Sequence, residues 1–406
     1  MIAVRGRVTS TRAHRIEANL RGVRLCDRVS IRARGRNAAA VVVAVEGART
    51  VLSVLDDARC VALGDVVERE DFGDYTVLGT SLCGRAVDGI GRPLDGRPAP
   101  NGSRFSITRY LVAPSPLKRR AFSRPLWTGV RAIDGLLTFA CGMRLGIFGP
   151  PGAGKSSLLQ TIARDVKADA VVVALIGERG TEAERHFAIM NARTTIVCAP
   201  ADRTAGEQIA ATELAMAQAC RLRECGLDVV IILDSLARYA HALREIALSC
   251  GEPPGRGGYP PTVYARLAEL CECAGATTCG SVTLLATVLS DVADPSDPLA
   301  EAARSHLDGH LVLSRERAER GAFPAIDVPA SLSRPMPAVV DPLQLVAAVR
   351  VRAALARFEG AREARELGLA PPEPLEPVLE EFLRQDSQPE LIARTLDALH
   401  HLADRI

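Results

Sequence analysis

Gly149-Pro-Pro-Gly-Ala-Gly-Lys155-Ser156 follows the apolar run Arg144-Leu-Gly-Ile-Phe148 and leads into Ser157-Leu-Leu-Gln-Thr-Ile-Ala163. A strand, a glycine-rich loop and a helix in that order form the context in which G-x-x-x-x-G-K-[ST] binds phosphate. Gly149, Gly152 and Gly154 let the backbone curl so that successive N–H groups, with those of Ala153 and Ser157 alongside, converge on an anion. The new helix adds the positive end of its dipole. Lys155 then reaches the β- and γ-phosphates of a nucleotide, and Ser156 ligates magnesium. The rival reading, a strand–turn–helix junction that matches by chance, has to explain both flanks as well as the loop.

Composition sharpens this. Lys118, Lys155 and Lys167 are the only lysines, and arginine supplies the other cations. A loop that cradles phosphate wants a compact ammonium on a slim stem, which a planar guanidinium replaces poorly. Lys155 is therefore set by its site, whereas Lys118 and Lys167 read as solvated surface. With 406 residues the chain has room for two or three domains, and 48% hydrophobic with 24% charged residues is the balance of a globular protein. A net charge of +2 argues against nucleic-acid binding. No apolar run reaches the roughly 18 residues of a membrane span. The N-terminus has no signal-peptide core, which leads us to expect a cytoplasmic protein with 11 reduced cysteines. Cys271 and Cys273 sit at i and i+2 of a helical pattern, on different faces, and read as structural rather than as metal ligands.

Residues 1–70 read as a small antiparallel β-barrel: Ile2–Ser10, Ile16–Asn19, Val29–Ala33, Ala39–Glu46 and Thr50–Leu55, parted by Gly- and Arg-rich turns. The Gly/Pro-rich stretch Cys83–Gly96 reads as turns and linker. Residues 71–340 form an α/β domain. Its strand runs are Arg144–Phe148, Ala170–Ile176, Thr195–Cys198, Asp228–Leu233, Ser281–Leu289 and Gly309–Leu313, and they alternate with helices such as Thr204–Glu224. That alternation predicts a mostly parallel sheet covered on both faces. Residues 341–406 form a helical C-terminal domain with Pro-rich breaks at Ala370–Pro374 and Ser387–Pro389.

Two further strand ends carry carboxylates. The run Asp228-Val-Val-Ile-Ile-Leu-Asp234 ends in an aspartate that, beside a phosphate loop, holds magnesium through its water shell. Val171-Val-Val-Ala-Leu-Ile-Gly177-Glu178-Arg179-Gly180 places Glu178 where ligands bind in such sheets. Glu178 there is either a general base orienting the attacking water or half of a surface Glu–Arg turn, and spacing leaves both open.

The resemblance to a family rests on several motifs in order. Gly177-Glu-Arg-Gly resembles the catalytic-glutamate motif of RecA-like hexameric rotary ATPases. Leu126-Trp-Thr-Gly-Val-Arg-Ala-Ile-Asp-Gly135 resembles their segment before the P-loop, and Asp234-Ser-Leu-Ala-Arg238 their Walker B extension. Gly251-Glu-Pro-Pro, Gly258-Tyr-Pro-Pro-Thr-Val-Tyr264, Leu307-Asp-Gly-His-Leu-Val-Leu-Ser-Arg315 and Pro324-Ala-Ile-Asp-Val328 resemble the flagellar and type III secretion ATPase branch. The likeness spans residues 80–340 closely and the first 70 more loosely. It implies a RecA-like P-loop domain between barrel and helical domain, with ATP and Mg2+ as cofactors. Glu178 matches the water-activating glutamate and Arg179 an arginine near the γ-phosphate. Ser331-Leu-Ser-Arg334 matches a segment whose arginine crosses to a neighbouring subunit as an arginine finger, which makes hydrolysis depend on a ring. Phe358, in Leu355-Ala-Arg-Phe-Glu359, matches an aromatic that packs on adenine, although by itself it reads as helix core.

By that resemblance the chain is a homohexameric, ATP-hydrolysing motor of a type III secretion apparatus that releases and unfolds export substrates from chaperones. Its partners are central stalk and stator proteins and chaperone–effector complexes. Its place is cytoplasmic and peripheral at the bacterial inner membrane, with no nucleic acid. Asp202-Arg203 and Arg304-Ser305 lean toward the injectisome rather than the flagellar export ATPase. A non-catalytic nucleotide-binding ring subunit would lack the glutamate that Glu178 supplies. A Rho-like RNA helicase would want stacking aromatics in its barrel, and residues 1–70 contain no Trp, Tyr or Phe. Three features depart from the family pattern. The chain begins at the first barrel strand without a helical extension, Pro150-Pro151 stiffens the loop and removes two N–H donors, and Ala370-Pro-Pro-Glu-Pro374 replaces the pattern expected where stalk and chaperones meet.

Overall fold

The computed structural model describes residues 4–12, 15–70, 73–289, 297–367, 369, 371, 374–386 and 388–406. The first residues of the strand expected from Ile2, and parts of the breaks expected at 370–374 and 387–389, lie outside the described residues. The N-terminal strands β1 (Arg5–Arg12), β2 (Arg15–Ala18), β3 (Arg28–Ala33), β4 (Arg36–Glu46), β5 (Arg49–Val54) and β6 (Val66–Arg69) close into a barrel of order β1-β2-β5-β4-β3-β6. Every pairing is antiparallel, and β6 returns to β1 to complete the ring. Period-2 alternation builds it: Val29, Ile31, Ala38, Ala40 and Val42 point inward and are buried. Alanine at alternate inward positions leaves room for the branched side chains opposite, which suits a barrel this small.

The remaining principal elements are β7 (Arg85–Val87), α1 (Arg131–Leu136), β8 (Arg144–Gly149), α2 (Lys155–Asp165), β9 (Ala170–Ile176), α3 (Gly180–Ala188), β10 (Thr194–Ala199), α4 (Ala205–Glu224), β11 (Asp228–Asp234), α5 (Leu236–Ser249), α6 (Pro261–Cys273), β12 (Ser281–Leu289), β13 (Gly309–Leu313), β14 (Ile326–Ser333), α7 (Pro342–Gly360), α8 (Glu376–Leu383) and α9 (Ile392–Arg405). The chain divides into two compact units. The first comprises Met1–Pro114, Ala170–Leu227 and Leu233–Cys273, the second Ser115–Asp169, Asp228–Ile232 and Ala274–Ile406.

In the first unit β9, β10 and β7 run parallel in that order. All seven residues of β9 are buried, as expected for a strand covered on both faces. Helix α4 lies over β9 and β10, its N-cap Thr204 accepting from the N–H of Glu207. Strand β7 corrects the reading of Cys83–Gly96 as turns alone. Arg85, Ala86 and Val87 are buried in the sheet. Three residues are too few to show a period, and an arginine at their start reads as surface. Asp95 resolves this: its carboxylate accepts from Arg85 Nε at 2.6 Å and sits well below the usual carboxylate range, chiefly because of that bond.

In the second unit β8 is flanked in parallel by β12 and β13, and β14 runs antiparallel beside β13. Helix α7 packs on α9, α1 and β14, burying Val351, Leu355 and Phe358. Barrel, mostly parallel sheet and C-terminal helices are therefore present as expected.

Candidate nucleotide site

The second unit holds the phosphate loop. Strand β8 is buried from Leu145 to Gly149, so the loop starts from a fixed end. Gly152 and Gly154 adopt φ +85° and +86°, a left-handed conformation open to glycine. Helix α2 begins at Lys155 and is anchored by buried Leu158, Leu159 and Ile162. Lys155 Nζ donates to the carbonyls of Gly149 at 2.6 Å and Pro150 at 2.7 Å, which lays the ammonium across the first turn of the loop. Ser156 is half-buried and Ser157 exposed at the helix start. Of the two prolines, Pro151 is exposed, and Pro150 offers its carbonyl to the N–H of Ala153 at 3.4 Å.

Beside this loop lies a cavity of about 220 Å³, lined by the start of α2, Val130, Phe323, Pro324, Gln385 and Asp386. Phe323 is 45% exposed, and a Cβ placed on Gly154 would lie 3.3 Å from its Cε1. The aromatic ring therefore lies directly against the loop backbone. Apolar faces with polar groups at the rim suit a flat heteroaromatic ring next to bound phosphates. Phe358 lies elsewhere. It is 2% exposed on α7, the Arg365 guanidinium sits 4.4 Å from its ring centre, and it does not line this cavity. Phe323 was missed in the sequence. Its local signal is an aromatic set directly before the motif Pro324-Ala-Ile-Asp-Val328, in the small-residue run Gly321-Ala-Phe-Pro-Ala.

Asp134 braces the turn that leads into Val130. Its carboxylate accepts from the N–H of Thr128 at 2.9 Å, the Thr128 hydroxyl at 2.8 Å and the N–H of Gly129 at 2.8 Å. Burial pushes its pKa up to about 6, against the pull of those three bonds. From α7, Gln344 Nε2 donates to the carbonyl of Asp134 at 2.9 Å and the Thr138 hydroxyl at 3.0 Å. Arg334, after β14 in the same unit, is exposed, and its backbone N–H donates to the carbonyl of Asp308.

Glu178, Arg179 and Asp234 belong to the first unit, and its geometry links two of them. Gly177 leaves β9 at φ +65°, so close to α5 that a Cβ would lie 3.1 Å from Cβ of Arg238. Glu178 follows, half-buried, with Oε1 4.0 Å from Arg238 Nε. Its carbonyl accepts from the N–H of Ala201 at 3.1 Å, tying it to the end of β10. Asp234 ends β11 at 6% exposure, and Ser235 caps α5 by accepting from the N–H of Arg238 at 3.2 Å. Arg238 thus connects the Glu178 and Asp234 turns, while Arg179 is exposed.

Ser156 in the second unit carries a hydroxyl and Asp234 in the first a carboxylate, each an oxygen donor of the kind magnesium takes. Among the described residues no group of three or more His, Cys, Asp or Glu forms a metal cage. An ion held mainly by nucleotide phosphates and water needs none. Among the described residues no helix is long and apolar enough to cross a membrane.

A family model described as the nucleotide-binding domain of the ATP synthase alpha/beta family matches residues 129–333. The type 3 secretion system ATPase of Pseudomonas savastanoi pv. phaseolicola is 36% identical, over 100% of this chain and 95% of its own length. The flagellum-specific ATP synthase of Pseudomonas aeruginosa is 43% identical, over 76% of this chain and 72% of its own. The assembled ATPase EscN from the type III secretion system of enteropathogenic E. coli superposes with a TM-score of 0.91 at 33% identity, covering 98% of this chain and 100% of that one. EscN in complex with its central stalk EscO gives a TM-score of 0.87 at 33% identity, with the same coverage. The loop, the strand-end carboxylates and these likenesses converge: the chain belongs to the ATP synthase alpha/beta family, in the branch of type 3 secretion and flagellum-specific ATPases.

Proposed function

We propose that this chain hydrolyses ATP as one subunit of a homohexameric ring serving a type III secretion apparatus, where turnover releases and unfolds export substrates from their chaperones. The carrying observation is a glycine-rich loop with left-handed Gly152 and Gly154 and the Lys155 ammonium laid over its first turn, in a chain that matches an assembled secretion ATPase over 98% of its length. In this reading the loop amides from Gly152 to Ser157 and Lys155 bind the phosphates. Glu178 orients the attacking water, with Arg179 near the γ-phosphate. Ser156 and Asp234 hold magnesium, which when bound neutralises charge on the transferring group. Exposed Arg334 completes the site of a neighbouring copy. Phe323 lines the base cavity, and Phe358 supports α7 from within or meets adenine as the family pattern suggests.

The EscN–EscO complex supports a central stalk partner. Stator proteins, chaperone–effector complexes and peripheral attachment to the cytoplasmic side of the inner membrane follow from the same reading. Glu178→Gln is expected to abolish hydrolysis while nucleotide binding persists, and Arg334→Ala to lower turnover only where rings assemble, seen as specific activity that no longer rises with protein concentration. Normal turnover in Glu178→Gln would defeat the catalytic reading and favour a non-catalytic ring subunit. A flagellar relative matches at 43% identity, against 43% and 47% for two secretion relatives, so service to a flagellar exporter is the second reading. Restoration of motility, rather than of effector secretion, in the corresponding deletion strains would select it.

A further inference from the structure

Two parts of the cavity lining, Val130 and Phe323, lie far apart in sequence, and one residue is tied beside both, by its side chain to the first and by its backbone to the second. Gln385, just after α8, donates from Nε2 to the carbonyl of Gly129 at 2.7 Å and to that of Gln388 at 2.8 Å. Its Oε1 accepts from the N–H of Arg131 at 2.7 Å. Its backbone N–H donates to the carbonyl of Phe323 at 2.9 Å. Val130, which lines the cavity, is therefore gripped through the residue on each side, and Phe323 through its own carbonyl.

Only a primary amide meets these demands, since it presents two donors and an acceptor from one planar group. The surrounding contacts reinforce the clasp. The Glu390 N–H also donates to the Gly129 carbonyl at 3.0 Å, and Glu390 pairs with Arg131 at 3.1 Å. Gly129 has φ +81°, and a Cβ there would lie 3.1 Å from Cβ of Pro389, so Pro389 seats directly on its backbone. Gln385 itself is half-buried at the cavity rim, with its polar atoms spent on protein partners.

We infer that Gln385 is a positioning residue of the nucleotide site, setting the spacing between Val130 and Phe323 so that the base cavity exists only while the C-terminal segment is docked. This rests on the reading of that cavity as the base site. The phosphate loop makes no hydrogen bond to Gln385 among those described. Losing the clasp therefore loosens the base end and leaves the phosphate end intact. Losing two or three neutral hydrogen bonds, partly replaced by water, sets the expected scale at roughly tenfold in affinity.

The test uses the full-length protein under assembling conditions, with ATP turnover and inhibition by inorganic tripolyphosphate, which can occupy only the phosphate loop. Gln385→Ala is expected to raise KM for ATP about tenfold, with kcat within about twofold and tripolyphosphate inhibition unchanged. Gln385→Met keeps the length and bulk without the bonds. It is expected to share the defect, and it guards against a folding failure in the smaller variant. Wild-type KM in Gln385→Met, or tripolyphosphate inhibition weakened in parallel with ATP, would overturn the proposal, because packing or general loosening would then be the cause. Phe323→Ala separates the underlying reading. If it leaves KM unchanged, the base-site reading fails. If it raises KM while both Gln385 variants behave as wild type, the positioning role alone fails.

Discussion

The loop side of the cavity comes from one uninterrupted stretch, the phosphate loop and the helix start that supply Gly154, Ser157, Leu158 and Thr161, whereas its other wall is gathered from Val130, Phe323–Pro324 and Gln385–Asp386. In the first, each residue's role follows from neighbours a few positions away: glycines for left-handed backbone, a lysine at the helix start, apolar spacing to anchor the helix. In the second, the carbonyl of Gly129 and the amide of Gln385 meet across 256 positions. Phosphate binding uses backbone amides, which any suitably curled loop supplies. Shaping a base cavity needs side chains from whatever elements the fold brings there. The comparison teaches that a nucleotide site can be recognised from its loop while the residues that hold the base stay unrecognised.

The two phenylalanines, Phe358 and Phe323, carry the largest expected difference. Phe358 is 2% exposed within the α7 core, so Phe358→Ala is expected to cost about 3–5 kcal/mol of stability through the lost apolar burial and the cavity left behind. Its KM for ATP should change little wherever the variant stays folded. Phe323, at 45% exposure, should show the opposite balance, with little stability lost and weaker ATP binding. Denaturant unfolding and turnover measured on both variants decide the matter. A raised KM with native stability in Phe358→Ala would return the adenine contact to α7, where family resemblance placed it.

How much was legible follows the same division. The barrel strands could be read from period-2 alternation, and β8 to β13 from apolar runs, because burial on one or both faces leaves a pattern within each strand. Strand β7 escaped because Arg85 is neutralised by Asp95, a partner outside the strand. Phe323 escaped because the motif beginning at the next residue, Pro324–Val328, marks a family and not a ring against Gly154. Gln385 escaped because a lone amide between Arg384 and Asp386 looks like any surface polar residue. Its meaning lies wholly in partners that only folding supplies.

The clasped wall should also respond to pH in a way that the loop does not. Burial raises the Asp134 pKa to about 6 from an ordinary 3.8. A carboxyl whose folded pKa is raised favours the protonated native state. Its contribution to stability is therefore complete below about pH 4 and is lost as pH rises through about 6. The loss is on the order of 3 kcal/mol. Urea unfolding from pH 4 to 7 should show this component in the wild type, and the difference curve against Asp134→Asn should isolate it. A flat difference curve would mean that the bonds from Thr128 and Gly129 outweigh burial, and the wall would then be as indifferent to pH as the loop.

Gly154 is the residue at which the two ends meet, and its substitution gives the smallest but most specific effect. Its φ of +86° belongs to the loop, and strain of about 1–2 kcal/mol is expected for any side chain there. Its approach to Phe323 belongs to the wall: an added Cβ at 3.3 Å from Cε1 and 3.5 Å from Cδ1 would press on the ring. The backbone strain of Gly154→Ala persists whatever stands at position 323, but the ring contact vanishes in a Phe323→Ala background. A double-mutant cycle on ATP affinity separates them, and we expect a coupling of about 0.5–1 kcal/mol, the contact share of the total. Zero coupling would show that the ring yields freely and that the two ends bind their halves of the nucleotide independently. Coupling as large as the whole Gly154→Ala effect would show that the loop tolerates the left-handed alanine, and that the wall, not the loop, is what demands glycine at that position.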